Sequence, residues 1–510
     1  MVAPTAPTTP SAPRAPGDPL DVLIVGAGLS GIAAAYHLQA TCPALRYAVV
    51  EARDAIGGTW DLFRYPGIRS DSDMYTLGYS FAPWPSDHGI ADGASIRAYI
   101  EDTARAHGID ARIRFGLRVE RASWSSADAR WTVTARRTSD GGAVTLSCRF
   151  LYMCTGYYAY DAGHDPPFPG RERFSGRVVH PQHWTDDIDH AGRRVIVIGS
   201  GATAVTLAPA LAERAAHVVM LQRSPTYVVS RPAVDRVARR LRRTLPPGLA
   251  HDLVRWKNVL LGSAFYNFCR RFPAQARRLI TRGVTAQLGP DYDVATHFNP
   301  SYAPWDQRLC LVPDADLFRA IRAGKVEVVT DRIETFTERG VLLASGRELA
   351  ADLIVTATGL RLRFLGGLAL EVDGRPVVPA ELKVYKGAML SGVPNLALAA
   401  GYTNASWTLK CELTAQYVAR LLRYMADRGH RACVPVAGPD VGDEPLLDLA
   451  SGYVQRALPE LPRQGARVPW KLYQNYVRDL IMLRHRAIAD DALRFDPRPP
   501  PGPPPAPAPR

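Results

Sequence analysis

Three glycines and one acid near the start of the chain have the types and spacing that bind a dinucleotide. Gly26, Gly28 and Gly31 form a GxGxxG pattern, and Glu51 lies 25 residues after Gly26. The first glycine makes a tight turn, the second lets the backbone approach a pyrophosphate, and the third lets a helix pack closely on a strand. The acid accepts hydrogen bonds from ribose hydroxyls. These residues predict a first dinucleotide site.

A second pattern of the same kind lies later in the chain. It runs from Gly199 through Gly201 and Thr203 to Ala204, with alanine in the third small position. At the end of the next apolar run stands Arg223, where an NAD site would carry an acid. Arginine can pair with a 2′-phosphate that an acid would repel. We therefore expect NADPH at this second site, although Arg223 on its own is also compatible with a solvated loop charge.

The cysteines exclude one class of enzyme with two dinucleotide sites. A disulfide reductase would carry a CxxxxC pair soon after the first site, but no cysteine occurs between Glu51 and residue 147. The chain has seven cysteines, an odd number, and none has CxxC spacing. We expect no disulfide framework, no metal site and a reducing compartment.

The elements that position these residues are predicted by short apolar runs. Residues 21–25 and 194–198 read as strands buried on both faces of a parallel sheet, with further strands at 47–50 and 217–221. Each glycine turn opens a helical pattern, over residues 32–39 and 204–212. The predicted fold is α/β, with two Rossmann-like dinucleotide-binding domains and a helical insertion.

Two longer motifs carry a resemblance to a known family. The first is an FxGxxxHxxxW pattern, which is filled by Phe174, Gly176, His180 and Trp184. The second is an [AG]GxWxxxx[FY]P[GM]xxxD pattern, which is filled by Gly57, Gly58, Trp60, Tyr65, Pro66, Gly67 and Asp71. In these motifs the chain resembles the Baeyer–Villiger monooxygenases. Further stretches, at residues 70–81, 304–310, 401–410 and 469–479, are similar to the ethionamide-activating type of mycobacteria.

The resemblance implies an activity. The first site would hold FAD, and NADPH would reduce it. A flavin peroxide would then insert one oxygen atom of dioxygen beside a ketone carbonyl and give an ester or lactone, with sulfoxidation as a side activity. The alternative is a flavin-containing monooxygenase that oxygenates nitrogen or sulfur, since Thr185 stands where the family usually has Pro or Asp.

The resemblance also assigns roles to residues. Arg308 would be a fixed cation beside the flavin that holds negative charge, and Asp71 would orient it. A surface salt bridge for Arg308 and a turn-capping role for Asp71 are the structural alternatives. The cofactor-binding residues of the first motif would be Gly58, Thr59, Trp60, Tyr65 and Asp71.

Four other residues receive less specific roles from the resemblance. His180 and Trp184 would belong to the cofactor-binding residues; His180 would help to position the NADPH domain and would not act as a proton donor at the reaction centre. Asn404 and Trp407 follow a stretch that runs near the flavin in such proteins, so they would line the substrate pocket. The alternatives are a hydrogen-bonded interdomain histidine for His180 and ordinary core packing for Asn404 and Trp407.

The order of these signals predicts the organisation of the chain. The FAD-binding domain is predicted to be discontinuous, over residues 20–155 and 351–495, with the strand at 352–359 returning to it. The NADPH-binding domain would comprise 165–228 and 305–350, with a basic helical insertion at 231–290. Residues 1–19 and 497–510 are Pro-rich and are predicted to be disordered tails.

The positive charge of the chain is concentrated in the insertion. The net charge is +13, and residues 231–282 hold thirteen basic residues against two acidic ones. A solvated helical surface, a membrane-binding surface and a nucleic-acid site are the three interpretations. No nucleic-acid motif accompanies the charge, so we expect no such partner. An apolar face formed by Val237, Leu241, Leu253, Trp256, Leu260 and Phe268 makes peripheral membrane contact an open alternative.

The location expected from the sequence is the cytoplasm. No apolar h-region precedes residue 20, and no stretch has the roughly 18 uninterrupted apolar residues of a membrane span. Small molecules, a ketone or thioether together with dioxygen, are the expected partners.

Overall fold

The computed structural model describes residues 19–496, so the predicted tails lie outside the described residues apart from Pro19. The strands are β1 (Leu20–Val25), β2 (Tyr47–Val50), β3 (Ile113–Arg114), β4 (Leu117–Ser125), β5 (Arg130–Arg137), β6 (Ala143–Met153), β7 (Arg177–Val179), β8 (Arg194–Ile198), β9 (His217–Gln222), β10 (Val228–Arg231), β11 (Cys310–Pro313), β12 (Val326–Thr330), β13 (Ile333–Thr337), β14 (Gly340–Leu343), β15 (Glu348–Ala350), β16 (Leu353–Thr356), β17 (Ala369–Val372), β18 (Arg375–Pro376), β19 (Val384–Tyr385), β20 (Met389–Leu390), β21 (Leu396–Leu398), β22 (Cys433–Pro435), β23 (Glu444–Pro445), β24 (Arg463–Gln464) and β25 (Leu493–Phe495). The helices are α1 (Leu29–Thr41), α2 (Thr59–Leu62), α3 (Met74–Leu77), α4 (Gly93–Ala106), α5 (Ala202–Leu211), α6 (Arg236–Thr244), α7 (Pro247–Arg271), α8 (Pro273–Leu288), α9 (Val294–His297), α10 (Asp316–Arg322), α11 (Trp407–Arg428), α12 (Gly452–Ala457) and α13 (Tyr476–Leu480).

The first sheet has eleven strands and a parallel core. β1 pairs in parallel with β2 on one side and with β6 on the other. Residues 21–25 of β1 are buried, as expected for a strand that is covered on both faces. α1 follows β1 directly through the first glycine turn, and the sheet is extended by β5, which pairs antiparallel with β6, and by β4, which pairs antiparallel with β5. The predicted strand–turn–helix unit is therefore confirmed, and its helix begins three residues earlier than expected.

The second sheet has five parallel strands in the order β12–β9–β8–β16–β7. The second glycine turn joins β8 to α5, as predicted. The sequence predicted that the strand at residues 352–359 returns to the FAD-binding domain, which contains the first sheet. In the structure this strand is β16, and it lies between β8 and β7 in the second sheet. Its apolar side chains are buried on both faces there, which is the environment of a central parallel strand. The chain rejoins the first sheet only at β17, which pairs with β4.

The basic segment forms three helices, α6, α7 and α8, as the sequence predicts for residues 231–290. α6 begins at Asp235, whose carboxylate accepts hydrogen bonds from the backbone N–H groups of Val237 and Ala238. Pro247 and Pro273 stand at the first positions of the two following helices, where a missing N–H costs nothing. Among residues 19–496, no helix combines the length and the apolarity that a membrane span requires.

The sulfur atoms of residues 19–496 lie inside the protein. All seven cysteines are free thiols with buried side chains. The methionines of the described region are buried as well: Met74, Met153, Met220, Met389, Met425 and Met482. Within residues 19–496, no group of three or more His, Cys, Asp or Glu side chains is arranged to hold a metal ion.

Candidate active site

One cavity of about 1600 Å³ lies where the first and second sheets face each other. Both glycine turns open into it, because each turn follows the carboxyl end of a parallel strand, where such sheets form their binding crevices. The predicted residues that line it are Gly26, Gly28, Glu51, Gly58, Thr59, Trp60, Tyr65, Asp71, Gly199, Gly201, Thr203, Arg223, Arg308 and Trp407. The structure thus brings most of the predicted site together in one space.

The first glycine turn is a close meeting of backbone segments. Gly26 has a φ of +110°, and a Cβ atom there would lie 2.4 Å from the carbonyl oxygen of Cys154. A Cβ atom on Gly31 would lie 1.8 Å from the carbonyl oxygen of Gly26, so only glycine allows α1 to begin here. No side chain caps the first turn of α1, which leaves its N–H groups directed at the cavity edge. This arrangement fits a pyrophosphate.

Glu51, which follows β2, stabilises this turn by hydrogen bonds. One carboxylate oxygen accepts a hydrogen bond of 2.8 Å from the backbone N–H of Ala27, and the other accepts one of 2.9 Å from the N–H of Arg53. Burial raises the pKa of the Glu51 carboxyl group, and these backbone hydrogen bonds act in the opposite direction. Each oxygen retains a lone pair, so the carboxylate can still accept from a ribose hydroxyl.

The second glycine turn repeats the design with one difference. Gly199 has a φ of +144°, and a Cβ atom there would lie 2.3 Å from the carbonyl oxygen of Ala357. Gly201 stands before α5, which has no side-chain cap either. A Cβ atom on Gly201 would meet nothing within 4 Å among the described residues. The protein itself therefore does not require glycine at position 201.

This difference predicts distinct outcomes for two substitutions. Gly201→Ala is expected to keep the melting temperature within a few degrees, yet to raise the Michaelis constant for NADPH about tenfold, since its methyl group intrudes where the pyrophosphate approaches. Gly199→Ala is expected to destabilise the fold by roughly 1–3 kcal/mol, because the new Cβ meets Ala357 and the φ is unfavourable. Thermal unfolding and steady-state kinetics measure both effects.

The matched control is Gly262→Ala on α7, which also adds a methyl group to open space but lies away from the cavity. It is expected to leave the Michaelis constant unchanged. If Gly201→Ala has wild-type affinity for the coenzyme, the second turn does not approach a pyrophosphate.

Arg223 lies at the carboxyl end of β9, exposed at the rim of the cavity. Within residues 19–496 no carboxylate lies at ion-pair distance from its guanidinium, so the charge is available to a ligand. Arg332 lines the same rim, because it follows β12, which pairs with β9. Arg332 was not predicted from the sequence. Its position two residues after a strand could have indicated that it lies at the cavity rim.

Arg308 and Asp71 form a two-point ion pair in the wall of the cavity. Nε of Arg308 lies 3.0 Å from Oδ2 of Asp71, and Nη2 donates to Oδ1 at 3.0 Å. The arginine precedes β11 and the aspartate precedes α3, so the two come together from distant parts of the chain. The carboxylate of Asp71 raises the pKa of Arg308, which keeps the guanidinium charged. Its side chain remains 32% exposed.

The loop that carries Asp71 is held against the second unit. A Cβ atom on Gly67, which has a φ of +74°, would lie 2.6 Å from Cβ of Ala210 on α5. Nearby, the Tyr65 hydroxyl hydrogen bonds with Thr203, and burial raises the pKa of Tyr65 to about 12. The motif residues Tyr65 and Gly67 therefore fix the position of this loop relative to the second glycine turn.

Three tyrosines near Arg308 were not predicted. The hydroxyl groups of Tyr157 and Tyr158 are 2.7 Å apart, and Tyr453 on α12 lines the same cavity. Burial raises the pKa of Tyr157, whereas the positive charge of Arg308 lowers it. Tyr157 and Tyr158 lie in the segment after β6, where the chain first passes from the first sheet to the second. Tyr453 comes from a distant part of the sequence, and no local pattern predicts that it lies beside them.

His180 and Trp184 do not line the large cavity. Nε2 of His180 is 3.2 Å from the carbonyl oxygen of Gly359, and Nδ1 accepts a hydrogen bond from the N–H of Gln182. Burial lowers the pKa of His180, so the ring stays neutral and keeps this accepting nitrogen. Trp184 is buried in the core of the second unit, and its ring contacts His190. Both residues connect segments of the second unit rather than facing the reaction space.

Of the two residues predicted to line the substrate pocket, one lines the cavity and the other does not. Trp407, at the start of α11, lines the cavity, stacks on Tyr157 with ring centres 4.7 Å apart, and donates from Nε1 to the Ser30 hydroxyl. Asn404 does not line the cavity, because its amide donates to the carbonyl oxygen of Gln474. Gly31 and Ala204 are also absent from the lining, since each packs behind its turn.

Comparisons with known proteins place the chain in a family. The profile of the flavin-binding monooxygenase-like family matches residues 20–386. The FAD-containing monooxygenase EthA of Mycobacterium tuberculosis is 54% identical over 481 residues, which cover 94% of this chain and 98% of the relative. The probable FAD-binding monooxygenase AlmA of Acinetobacter baylyi is 44% identical and covers 93% of this chain and 96% of the relative.

Solved structures have the same fold. An oxidised steroid monooxygenase bound to NADP superposes with a TM-score of 0.67 at 26% identity, over 83% of this chain and 88% of that protein. Cyclohexanone monooxygenase in an open form gives a TM-score of 0.65 at 22% identity, over 82% and 90% of the two chains. The predicted fold and the resemblance to mycobacterial monooxygenases are thus confirmed. The chain belongs to the flavin-binding monooxygenase-like family and is a flavin-dependent monooxygenase with the fold of the Baeyer–Villiger enzymes.

Proposed function

We propose that this enzyme is an FAD-dependent, NADPH-consuming Baeyer–Villiger monooxygenase. It inserts one oxygen atom of dioxygen beside a ketone carbonyl and gives an ester or lactone, and it oxygenates thioethers as a side activity. The observation that carries the proposal is the Arg308–Asp71 pair, which presents a permanent positive charge to the cavity between the two glycine turns. Nucleophilic oxygen transfer to a carbonyl requires such a charge, because negative charge develops on oxygen.

The two cofactors fit the residues at each turn. FAD would be held by the first turn, with its pyrophosphate at Gly28 and the start of α1 and its ribose at Glu51. NADPH would be held by the second turn at Gly201, with its 2′-phosphate at Arg223. FAD bound there and reduced by NADPH supplies the activation of dioxygen. The relative EthA is an FAD-containing monooxygenase, and a solved structure of this fold is a complex with FAD and NADP, which supports this assignment.

The protein contributes charge, shape and exclusion of water. Asp71 holds the guanidinium of Arg308 by two contacts, so the cation is oriented before the reaction begins. The stacked rings of Tyr157 and Trp407 form an apolar wall beside it. A dry wall strengthens the electrostatic effect of the guanidinium and limits the loss of activated oxygen to water.

The division of the chain that we propose follows the two sheets. The FAD-binding unit would comprise the first sheet and its helices, and the NADPH-binding unit would comprise the second sheet, with β16 included. The segments after β6 and after β16 would then be the two crossings between units.

An oxygenase that acts on nitrogen or sulfur is the alternative function. The Arg308–Asp71 pair argues against it, since an electrophilic oxygen donor does not need a fixed cation beside it.

The proposal is tested with the purified holoenzyme, NADPH and dioxygen labelled with heavy oxygen. The enzyme is offered a mixed panel of ketones and thioethers, and the masses of the products are measured. We expect one heavy oxygen atom in an ester or lactone. A control with labelled water and ordinary dioxygen is expected to give unlabelled ester oxygen at the inserted position.

Two results would contradict the proposal. Heavy sulfoxide without any ester would assign the protein to the nitrogen- and sulfur-oxygenating enzymes. NADPH oxidation that yields only hydrogen peroxide across the whole panel would show that the cavity does not direct oxygen to a carbonyl.

A further inference from the structure

Helix α7 carries a row of apolar side chains on its outer face. Leu249, Leu253, Trp256 and Leu260 are 50%, 45%, 39% and 55% exposed. Their spacing of four, three and four residues places them along one side of the helix. We call these four residues the outer row. The sequence predicted an apolar face here, but the structure half-buries two of its proposed members, Leu241 and Phe268.

The outer row is exposed although the helix is firmly attached. The opposite side of α7 is buried through Val254, Val259 and the side chain of Arg255, which is only 7% exposed. Arg255 donates hydrogen bonds to the carbonyl oxygens of Tyr75 and Gly78 and contacts Glu412 at 3.2 Å. The helix therefore cannot rotate to bury its apolar side without breaking a buried ion pair.

A second group of exposed apolar residues adjoins the outer row. The ring of Trp256 contacts the ring of Tyr476, with centres 5.7 Å apart. On that segment Tyr473, Val477 and Ile481 are 38%, 39% and 48% exposed at intervals of four residues. The contact of Trp256 with Tyr476 links α7 to the segment around α13 that carries this second group, and we refer to the two groups together as the apolar surface. Exposed apolar surface of this kind marks an interaction site.

Positive charge lies on α7 itself and on α6 and α8, which contact it. Among residues 19–496, no carboxylate lies at ion-pair distance from several arginines of the insertion, namely Arg236, Arg239, Arg240, Arg243, Arg271, Arg278 and Arg282. Two guanidinium groups lie over exposed rings: Arg271 over Phe272 at 5.9 Å, and Arg478 over Tyr473 at 4.7 Å. Asp252 is the acidic residue beside the outer row. Exposed apolar side chains and basic side chains are therefore carried by the same group of helices.

We propose that this surface docks the enzyme on an anionic lipid bilayer, with α7 lying in the plane of the headgroups. Apolar side chains would enter the boundary with the acyl chains, while the arginines would pair with lipid phosphates. A second copy of the chain fits less well. A symmetric contact would set the same surface against itself and bring the unpaired arginines of both copies together.

The docked orientation would place the cavity near the lipid. Val259 on the inner side of α7 packs against Tyr402 and Leu409, and Tyr402 lines the cavity. If the proposed function holds, apolar ketones and thioethers dissolved in the bilayer would lie within one helix thickness of the reaction space. The docking itself does not depend on that function, because binding to lipid is measured without turnover.

The test measures sedimentation of the FAD-loaded enzyme with vesicles. We expect binding to vesicles that contain phosphatidylglycerol and at least tenfold weaker binding to phosphatidylcholine alone. Raising the salt from about 0.1 to about 0.5 M is expected to weaken binding by a similar factor, because the charges are screened. Leu253→Ser combined with Leu260→Ser is expected to abolish sedimentation and to keep FAD content and NADPH oxidation.

The matched control is Phe115→Ser combined with Val378→Ser, two apolar residues that are 39% and 47% exposed outside the surface. This control is expected to bind like the wild type. The proposal would be overturned if the wild-type enzyme does not sediment with phosphatidylglycerol vesicles. It would also be overturned if the Leu253/Leu260 variant binds these vesicles as well as the wild type does. A wild-type dimer in gel filtration that the same variant converts to a monomer would overturn it too, since the surface would then be a contact between copies.

Discussion

Replacement of Arg308 by alanine is expected to lower the rate of ester formation by about 10²–10³, the usual cost of removing one preorganised electrostatic group from an active site. FAD content and NADPH oxidation should remain, because Arg308 contacts Asp71 and not the glycine turns. The oxygen activated by the enzyme would then appear as hydrogen peroxide. The measurement is the ratio of ester to NADPH consumed, with peroxide determined in the same sample.

Two further variants separate charge from geometry. Arg308→Lys keeps a positive charge but loses the two-point contact with Asp71, so an intermediate ester yield is expected. Arg177→Ala is the matched control, because it removes an arginine from an exposed ion pair with Asp187. Its ester yield should equal that of the wild type. An unchanged ester yield in Arg308→Ala would refute the catalytic role of this residue.

Replacement of Arg223 by alanine is expected to reduce the preference for NADPH over NADH by about 10–100-fold, equivalent to the loss of a charge-assisted hydrogen bond of roughly 1.5–3 kcal/mol. The change should appear in the Michaelis constant for NADPH, while that for NADH should hardly change. The reason is that the residue stands at the end of β9, at the cavity rim and without a carboxylate partner in the described part of the chain. Steady-state kinetics with both coenzymes measure the effect.

The control for this variant is Arg322→Ala, at the exposed end of α10 and away from the cavity. It removes the same charge without touching the rim, so coenzyme preference should be unaffected. Equal increases in both Michaelis constants on Arg223→Ala would remove the phosphate assignment and leave a general electrostatic effect.

The two glycine turns were predictable because all their determinants are local. A buried strand, a turn that only small residues permit and the start of a helix occupy a dozen consecutive positions, as at Gly26 and Gly199. The ion pair of Asp71 with Arg308 was reached through the family resemblance, and the structure brings the two side chains together across 237 residues of sequence. That contact depends on how the units are placed, which no local pattern encodes.

Several sequence predictions depended on neighbours that are distant in sequence. β16 has the same apolar composition as a strand of the first sheet, so its composition alone could not tell which sheet would accept it. Asn404 has a polar side chain close to Trp407, but the carbonyl oxygen of Gln474 binds its amide. The apolar face of the insertion was assigned across the break between α6 and α7, and that break shifts the helical phase, so Leu241 turns inward.

The burial of every described sulfur atom has a consequence for the lifetime of the enzyme. Cys154 and Cys310 line the cavity, where stray hydrogen peroxide would be formed whenever turnover fails to reach a substrate. Thiolates, not thiols, react readily with peroxide. Burial raises the pKa of Cys310 to about 12 and that of Cys154 well above its ordinary value. Because these thiols are held protonated and the methionines of residues 19–496 are shielded from solvent, we expect the described sulfur atoms to resist oxidation by such peroxide.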